Sequence, residues 1–91
     1  MKTEDKKRVR DVIDRFCYKN KCENKANKIF KMTIEQCNYY ESMNTKKPLL
    51  NTIIAANIYF VCGEIPVSKI SNHMCVDKST IYKHVKKINE M

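Results

Sequence analysis

Apolar residues recur along most of this chain at the three- and four-residue spacing of an α-helix, and strict apolar/polar alternation never persists for the length of a strand. After a polar head, MKTEDKK, the residues Val9, Val12, Ile13, Phe16 and Cys17 stand at i, i+3, i+4, i+7 and i+8, which lays one stripe along a first helix over residues 6–19. A polar connection, Asn20 to Glu23, follows. Ala26, Ile29, Phe30, Thr33, Ile34 and Cys37 then repeat the pattern in a second helix over 23–38. The segment NYYESMNTKK carries no stripe and leads to Pro48, read as the first turn of a third helix because a residue there needs no N–H donor. That helix, LLNTIIAANIYFVC, is apolar on nearly every face and is predicted to be enclosed by the other four, with Ala55 and Ala56 allowing close approach. Gly63 reads as its stop and Pro66 as the opening of a fourth helix over 66–74. Asp77 stands where an N-cap belongs, its carboxylate suited to the free N–H groups and the positive dipole end of a fifth helix over 78–89. Ile81, Val85 and Ile88 of that helix point inward. The predicted fold class is all-α: a single five-helix domain over residues 6–91 behind a polar, disordered tail of residues 1–5, with a buried central helix.

Length and composition narrow what such a domain does. Ninety-one residues support one small domain, burying roughly 60–65% of the unfolded surface. Eighteen Lys and Arg against ten Asp and Glu give a formal charge of +8, and the excess is nearly all lysine, which favours a polyanionic partner. Five cysteines, an odd number with no C-x-x-C pair and no signal peptide ahead of them, read as reduced thiols of an intracellular protein. The longest apolar run, Ile53 to Cys62 with Asn57 inside it, is about half of what spans a bilayer, so no membrane segment is expected. Neither Cys17, Cys22 and Cys37 nor His73 and Cys75 reproduce the ligand spacing of a structural zinc site, and Cys17, Cys37 and Cys62 fall on apolar faces. No metal and no cofactor are expected. No nucleophile with a placed base, carboxylate pair or glycine-rich phosphate loop is present, so an enzyme is not expected either.

The stretch ISNHMCVDKSTIYKHVKKI, Ile70 to Ile88, has the inward positions of a helix-turn-helix, in which a short helix props a second whose exposed face enters the major groove of DNA. Ile70 and Met74 hold the first helix, Val76 plugs the turn, Ser71 is small where the helices cross, and Ile81, Val85 and Ile88 seat the second helix. Lys78, Ser79, Thr80, Tyr82, Lys83, Lys86 and Lys87 are left on the outside or the rim, a set able to donate to phosphates and base edges. His84 is placed with them as a solvated or phosphate-side residue. Cys75 occupies the turn position where glycine is usual; it either adopts positive φ at a cost of about 1 kcal/mol or the turn stays near helical angles.

Three blocks in order resemble one family, the cyclin-like repeats of transcription factor IIB and its archaeal counterpart. RFCYKNKCENKANKIFKMTIEQ resembles the paired helices that open the second such repeat, PLLNTIIAANIYFVC its central helix with Ile54-Ala55-Ala56-Asn57-Ile58-Tyr59 at the core, and VSKISNHMCVDKSTIYKHVKKI its closing helix-turn-helix. The resemblance covers residues 8–89 and implies a five-helix cyclin-like box. It also implies a general initiation factor that contacts double-stranded promoter DNA beside the TATA-binding protein and helps recruit RNA polymerase at the site of transcription. It departs from the family in carrying one repeat and no zinc-ribbon cysteines. The family's base-reading valine and arginine fall at Ser79 and Tyr82, so bidentate guanine reading by arginine is not available. The abundance of Lys, Asn and Ile suits an AT-rich genome such as that of a large DNA virus.

Two other functions compete with DNA binding in promoter context. A cyclin-like module that docks a protein partner would carry the basic face incidentally. A small helix-turn-helix regulator of the winged kind needs a β-hairpin after the fifth helix, and the three residues past Ile88 are too few to build one. Lys25, Lys28, Lys31, Lys46 and Lys47 add charge for DNA flanks or an acidic protein, although lysines spread along a helix such as the second are usually only solvated, and the chain is expected to act as a monomer.

Overall fold

A computed structural model describes residues 1–90 as an all-α assembly of five helices: α1 Thr3–Lys19, α2 Ala26–Ser42 behind a 3₁₀ turn Glu23–Lys25, α3 Leu50–Val61, α4 Val67–Met74 and α5 Lys78–Glu90. The central helix is enclosed as its composition demands, with every residue from Thr52 to Ile58 buried. It packs directly against α2, α4 and α5. Helix α1 rests chiefly on α2 and the 3₁₀ turn. The stripe Val9, Ile13, Phe16 and Cys17 nevertheless joins Ile54, Ala55 and Ile58 in one apolar cluster, and the Phe16 ring meets His73 of α4 edge-on at 5.2 Å.

Several element bounds differ from the sequence expectation. The reading of residues 1–5 as a tail is overturned for Thr3–Asp5, which form the first turn of α1 with Glu4 and Asp5 at its positive end. Met1 packs on a small cluster of Cys37, Tyr40 and Ile53, and its amino group pairs with Glu41 at 3.5 Å. Helix α2 continues to Ser42 because Tyr40, three residues past Cys37, extends the buried stripe by a further turn. Pro48 lies ahead of α3 instead of in its first turn, with Leu49 at the N-cap, and Pro66 is the N-cap of α4.

The helix ends explain where the single glycine matters. Gly63 does not have positive φ, and a Cβ built on it meets nothing within 4 Å, so no backbone demand fixes it as a stop. The left-handed residues are Lys21, Asn44 and Cys75, with φ of 55, 51 and 56°. Each follows a helix and is itself followed by a residue whose N–H reaches back five positions: Cys22 to Cys17, Thr45 to Tyr40 and Val76 to Ser71, at 2.9, 3.2 and 3.2 Å. Three helices therefore close in the Schellman manner without glycine. Cys22 and Val76, the residues after the left-handed ones at α1 and α4, are both buried, as the apolar contact of that motif requires. This is why Cys22, read as part of a polar connection, belongs to the core.

The cost of a side chain at a left-handed position is testable. Cys75→Gly should raise the unfolding free energy by about 0.5–1 kcal/mol, the relief of strain being partly offset by the freer unfolded chain. Cys75→Val should lower it by about 1–2 kcal/mol, because a β-branched residue tolerates positive φ least. Gly63→Ala, with open space and no positive φ, should gain about 0.4–1 kcal/mol. Thermal unfolding would reveal the three signs; a loss with Cys75→Gly would mean that the turn does not need this conformation.

Candidate nucleic-acid interface

Helices α4 and α5 are joined by the three residues Cys75, Val76 and Asp77. Cys75 adopts φ 56° and ψ 47°, so the turn takes the left-handed form usually given to glycine, and the variant with helical angles is set aside. Two N–H groups, of Cys75 and Val76, converge on the Ser71 carbonyl, and Asn51 Nδ2 of α3 lies 3.5 Å from the Met74 carbonyl. The carbonyl of Asp77 accepts from the Ile81 N–H at 3.0 Å and closes the first turn of α5.

Every candidate residue on α5 is exposed: Lys78, Ser79, Thr80, Tyr82, Lys83, Lys86 and Lys87. They are not equivalent. Ser79, Lys83 and Lys86 share the face opposite the buried Ile81 and His84. Thr80 and Lys87 flank it on the side of the α3 N-terminus, where they line a groove of about 310 Å³ with Lys83, His84, Leu49 and Thr52. Tyr82 leans the other way, its ring edge-on to Tyr59 of α3 at 5.6 Å, so about half of it is left to meet a ligand. Among the described residues, the ion pairs are Met1 with Glu41, Arg10 with Asp14 and Lys25 with Glu64. The lysines of α5 are in none of these. Lys25, counted from sequence as added charge, is held by Glu64 at 2.9 Å, which pushes the lysine up from its ordinary pKa. Lys28, Lys31, Lys46 and Lys47 are exposed.

His84 is the correction. Placed from sequence on the solvated face, it is instead only 4% exposed, on the stripe with Ile81. Its Nε2 has no hydrogen-bond partner among the described residues. Burial, and then the charge of Lys87, hold it below the ordinary histidine pKa of 6.5. Val85 and Ile88, expected inward, are half-buried.

The buried thiols bear on packing and not on the interface. Cys17, Cys22, Cys37 and Cys62 are buried and Cys75 is exposed, all five unbridged. Burial, with Cys22 alongside, pushes Cys17 and Cys62 up to about 12, so these thiols stay protonated. Among the described residues no group of three metal-ligating side chains is brought together, and no helix is long and apolar enough to cross a membrane.

Comparison with known proteins returns no match: no family model, curated protein or solved structure is similar to this chain.

Proposed function

We propose that the chain is a DNA-binding repeat of the kind found in transcription factor IIB, contacting double-stranded promoter DNA through α5 beside the TATA-binding protein and assisting recruitment of RNA polymerase. The observation that supports this reading is the left-handed turn at Cys75, which leads into a helix with an exposed lysine- and hydroxyl-bearing face whose ammonium groups are outside the described ion pairs. Lys83, Lys86 and Lys87 serve as phosphate partners, a role that needs charge and reach more than fixed geometry. Lys78, Ser79 and Thr80 supply an ammonium group and hydroxyls at the N-terminal end of the helix, where base edges are reached. Tyr82 acts with its exposed half while its ring is steadied by Tyr59.

A second reading, a cyclin-like module that binds a protein, draws on Leu49. This leucine is 79% exposed and stands between the groove on α5 and another of about 420 Å³ lined by Leu50, Val76 and the exposed Cys75. A mobility shift on promoter DNA, with and without TATA-binding protein, separates the two. A salt-sensitive complex supports the first reading; absence of any shift from a folded chain favours the second.

Base reading has its own test. Ser79→Ala and Tyr82→Ala should change the ranking of DNA sequences selected from a random pool by a factor corresponding to about 1–3 kcal/mol at the affected base pair. Equal loss on all sequences would reassign both residues to positioning the helix.

A further inference from the structure

We infer that His84 is an acid-released latch for α5: the neutral ring seats the helix on α2 and α3, and the protonated ring frees it while the rest of the domain stays folded. The latch does not depend on what α5 binds. Helix α5 packs on α3, and on α4 across the turn at Cys75. Only two of its side chains are buried, Ile81 and His84, with Val85 and Ile88 half-buried beyond them. Ile81 belongs to the main apolar cluster. One turn further on, the seat rests on a titratable ring. The His84 imidazole lies with its centroid 6.4 Å from that of Tyr40 on α2, and it shares a groove with Leu49 and Thr52 at the start of α3. So half of the buried stripe of α5 is a group whose charge changes near neutrality.

An imidazolium does not suit that position. It donates through both nitrogens, and Nε2 is closed off with no hydrogen-bond partner among the described residues, so one buried N–H is left without an acceptor. Nothing nearby offsets the charge. On α5 the neighbours are Lys83 and Lys87, and no ionisable side chain of α3 lines the groove. On α2, Tyr40 is kept neutral by burial, which pushes its hydroxyl up, and Glu41 beside it is paired with the amino group of Met1 at 3.5 Å. Lys47, ahead of α3, acts on Cys37 of the cluster that holds Tyr40 and adds a further positive charge. Burial first, and Lys87 second, therefore hold His84 below its ordinary 6.5. A base whose pKa is lower in the docked helix than in the loose one binds more protons when the helix is loose. Docking is thus fully favoured above pH 6.5 and weakens as pH falls from there toward the depressed value, by up to roughly tenfold in the docked-to-loose ratio per pH unit. Release is confined to α5, because the buried hydrogen bonds of Asn57 with Thr33 and Gln36 tie α3 to α2 without it. Any ligand held by α5 is let go with it in acid, the reverse of the tightening that added positive charge alone gives toward a polyanion.

Amide hydrogen exchange, followed residue by residue at about pH 7.5 and about pH 5.5 and expressed as protection factors free of the intrinsic pH dependence, provides the test. The expected result is that α5 amides lose up to roughly tenfold in protection on the acid side while those of α2 and α3 keep theirs. In the same sample the His84 ring should titrate by NMR with a midpoint below 6.5. His73, the other of the two histidines, is also held low by burial, and its ring meets Phe16 from α4. His73→Gln is therefore the control and should leave the acid loss in α5 in place. His84→Leu should make the protection of α5 equal at both pH values. If that variant does not fold, exchange and titration of the wild type decide alone. Protection of α5 that acid leaves unchanged, a His84 midpoint at or above 6.5, or a loss in α2 and α3 in step with α5 would each overturn the latch, and none of them touches the DNA reading.

Discussion

Replacing Asn57 by alanine should cost about 3–4 kcal/mol of folding stability, a large part of the roughly 5–10 kcal/mol that a chain of this size has in hand. Asn57 lies in the middle of the most apolar helix and is fully buried. Its Nδ2 donates to Thr33 Oγ1 at 2.9 Å, its Oδ1 accepts from Gln36 Nε2 at 2.9 Å, and Thr33 Oγ1 in turn donates to the Ile29 carbonyl at 2.9 Å. Thr33 and Gln36 sit three apart on α2, so one amide joins α3 to a whole turn of its neighbour. Truncation would remove two buried hydrogen bonds, strand the Gln36 amide, whose Oε1 already lacks a partner, and leave a small cavity. Asn57→Leu should also be costly, since it fills the space but still strands Gln36. Asn57→Leu with Gln36→Leu should recover part of the loss, as apolar replacement of both partners does. Urea unfolding of the single and double variants would measure the coupling. A cost below about 1 kcal/mol for Asn57→Ala would mean that the network adds nothing to the packing of α2 on α3.

The same residue marks the limit of what the sequence makes legible. Asn57 is visible as an interruption of an apolar run, and Thr33 as an inward position, but Gln36 lies off the apolar stripe of α2, and nothing local identifies it as Asn57's partner. Helices α1, α2, α4 and α5 are readable from periodicity, because each buries a stripe, and α3 is readable from being apolar on nearly every face. Their ends are not. The extension of α2 through Tyr39–Ser42 rests on the single buried Tyr40 among polar neighbours, and the first turn of α1 on Met1 packing from outside the periodic segment. The Schellman closures at Lys21 and Asn44 escape notice because their usual signal is glycine, whereas Cys75 is flagged by its place in the helix-turn-helix spacing. In the candidate interface the exposed set on α5 follows directly from the inward spacing. His84 does not, because polarity argues for the outer face while its register with Ile81, three residues earlier, argues for the inner one, and burial went with register.

Changing Lys83, Lys86 and Lys87 together to alanine should weaken binding to duplex DNA by a few hundredfold at about 0.1 M salt and leave the fold intact. The size follows from counterion release: each phosphate neutralised contributes about 0.9 to the log–log slope of affinity against salt, so three lost contacts flatten the slope by about 2.7 and forfeit about 2.7 decades at that concentration. The three side chains are exposed, and surface changes of this kind stay within about 0.5 kcal/mol in stability. Charge alone would also weaken binding, so the control is Lys7→Ala, Lys28→Ala and Lys31→Ala, which removes as many exposed positive charges from α1 and α2. That variant should lose little in slope, because charges away from the contact act only through a screened field beyond about 10 Å. The pair of slopes separates an interface on α5 from a general attraction of a basic protein for a polyanion. Equal slopes in both variants would leave only the general attraction. A slope unchanged by the α5 substitutions would take that helix out of the interface and move the function to protein docking at the Leu49 grooves.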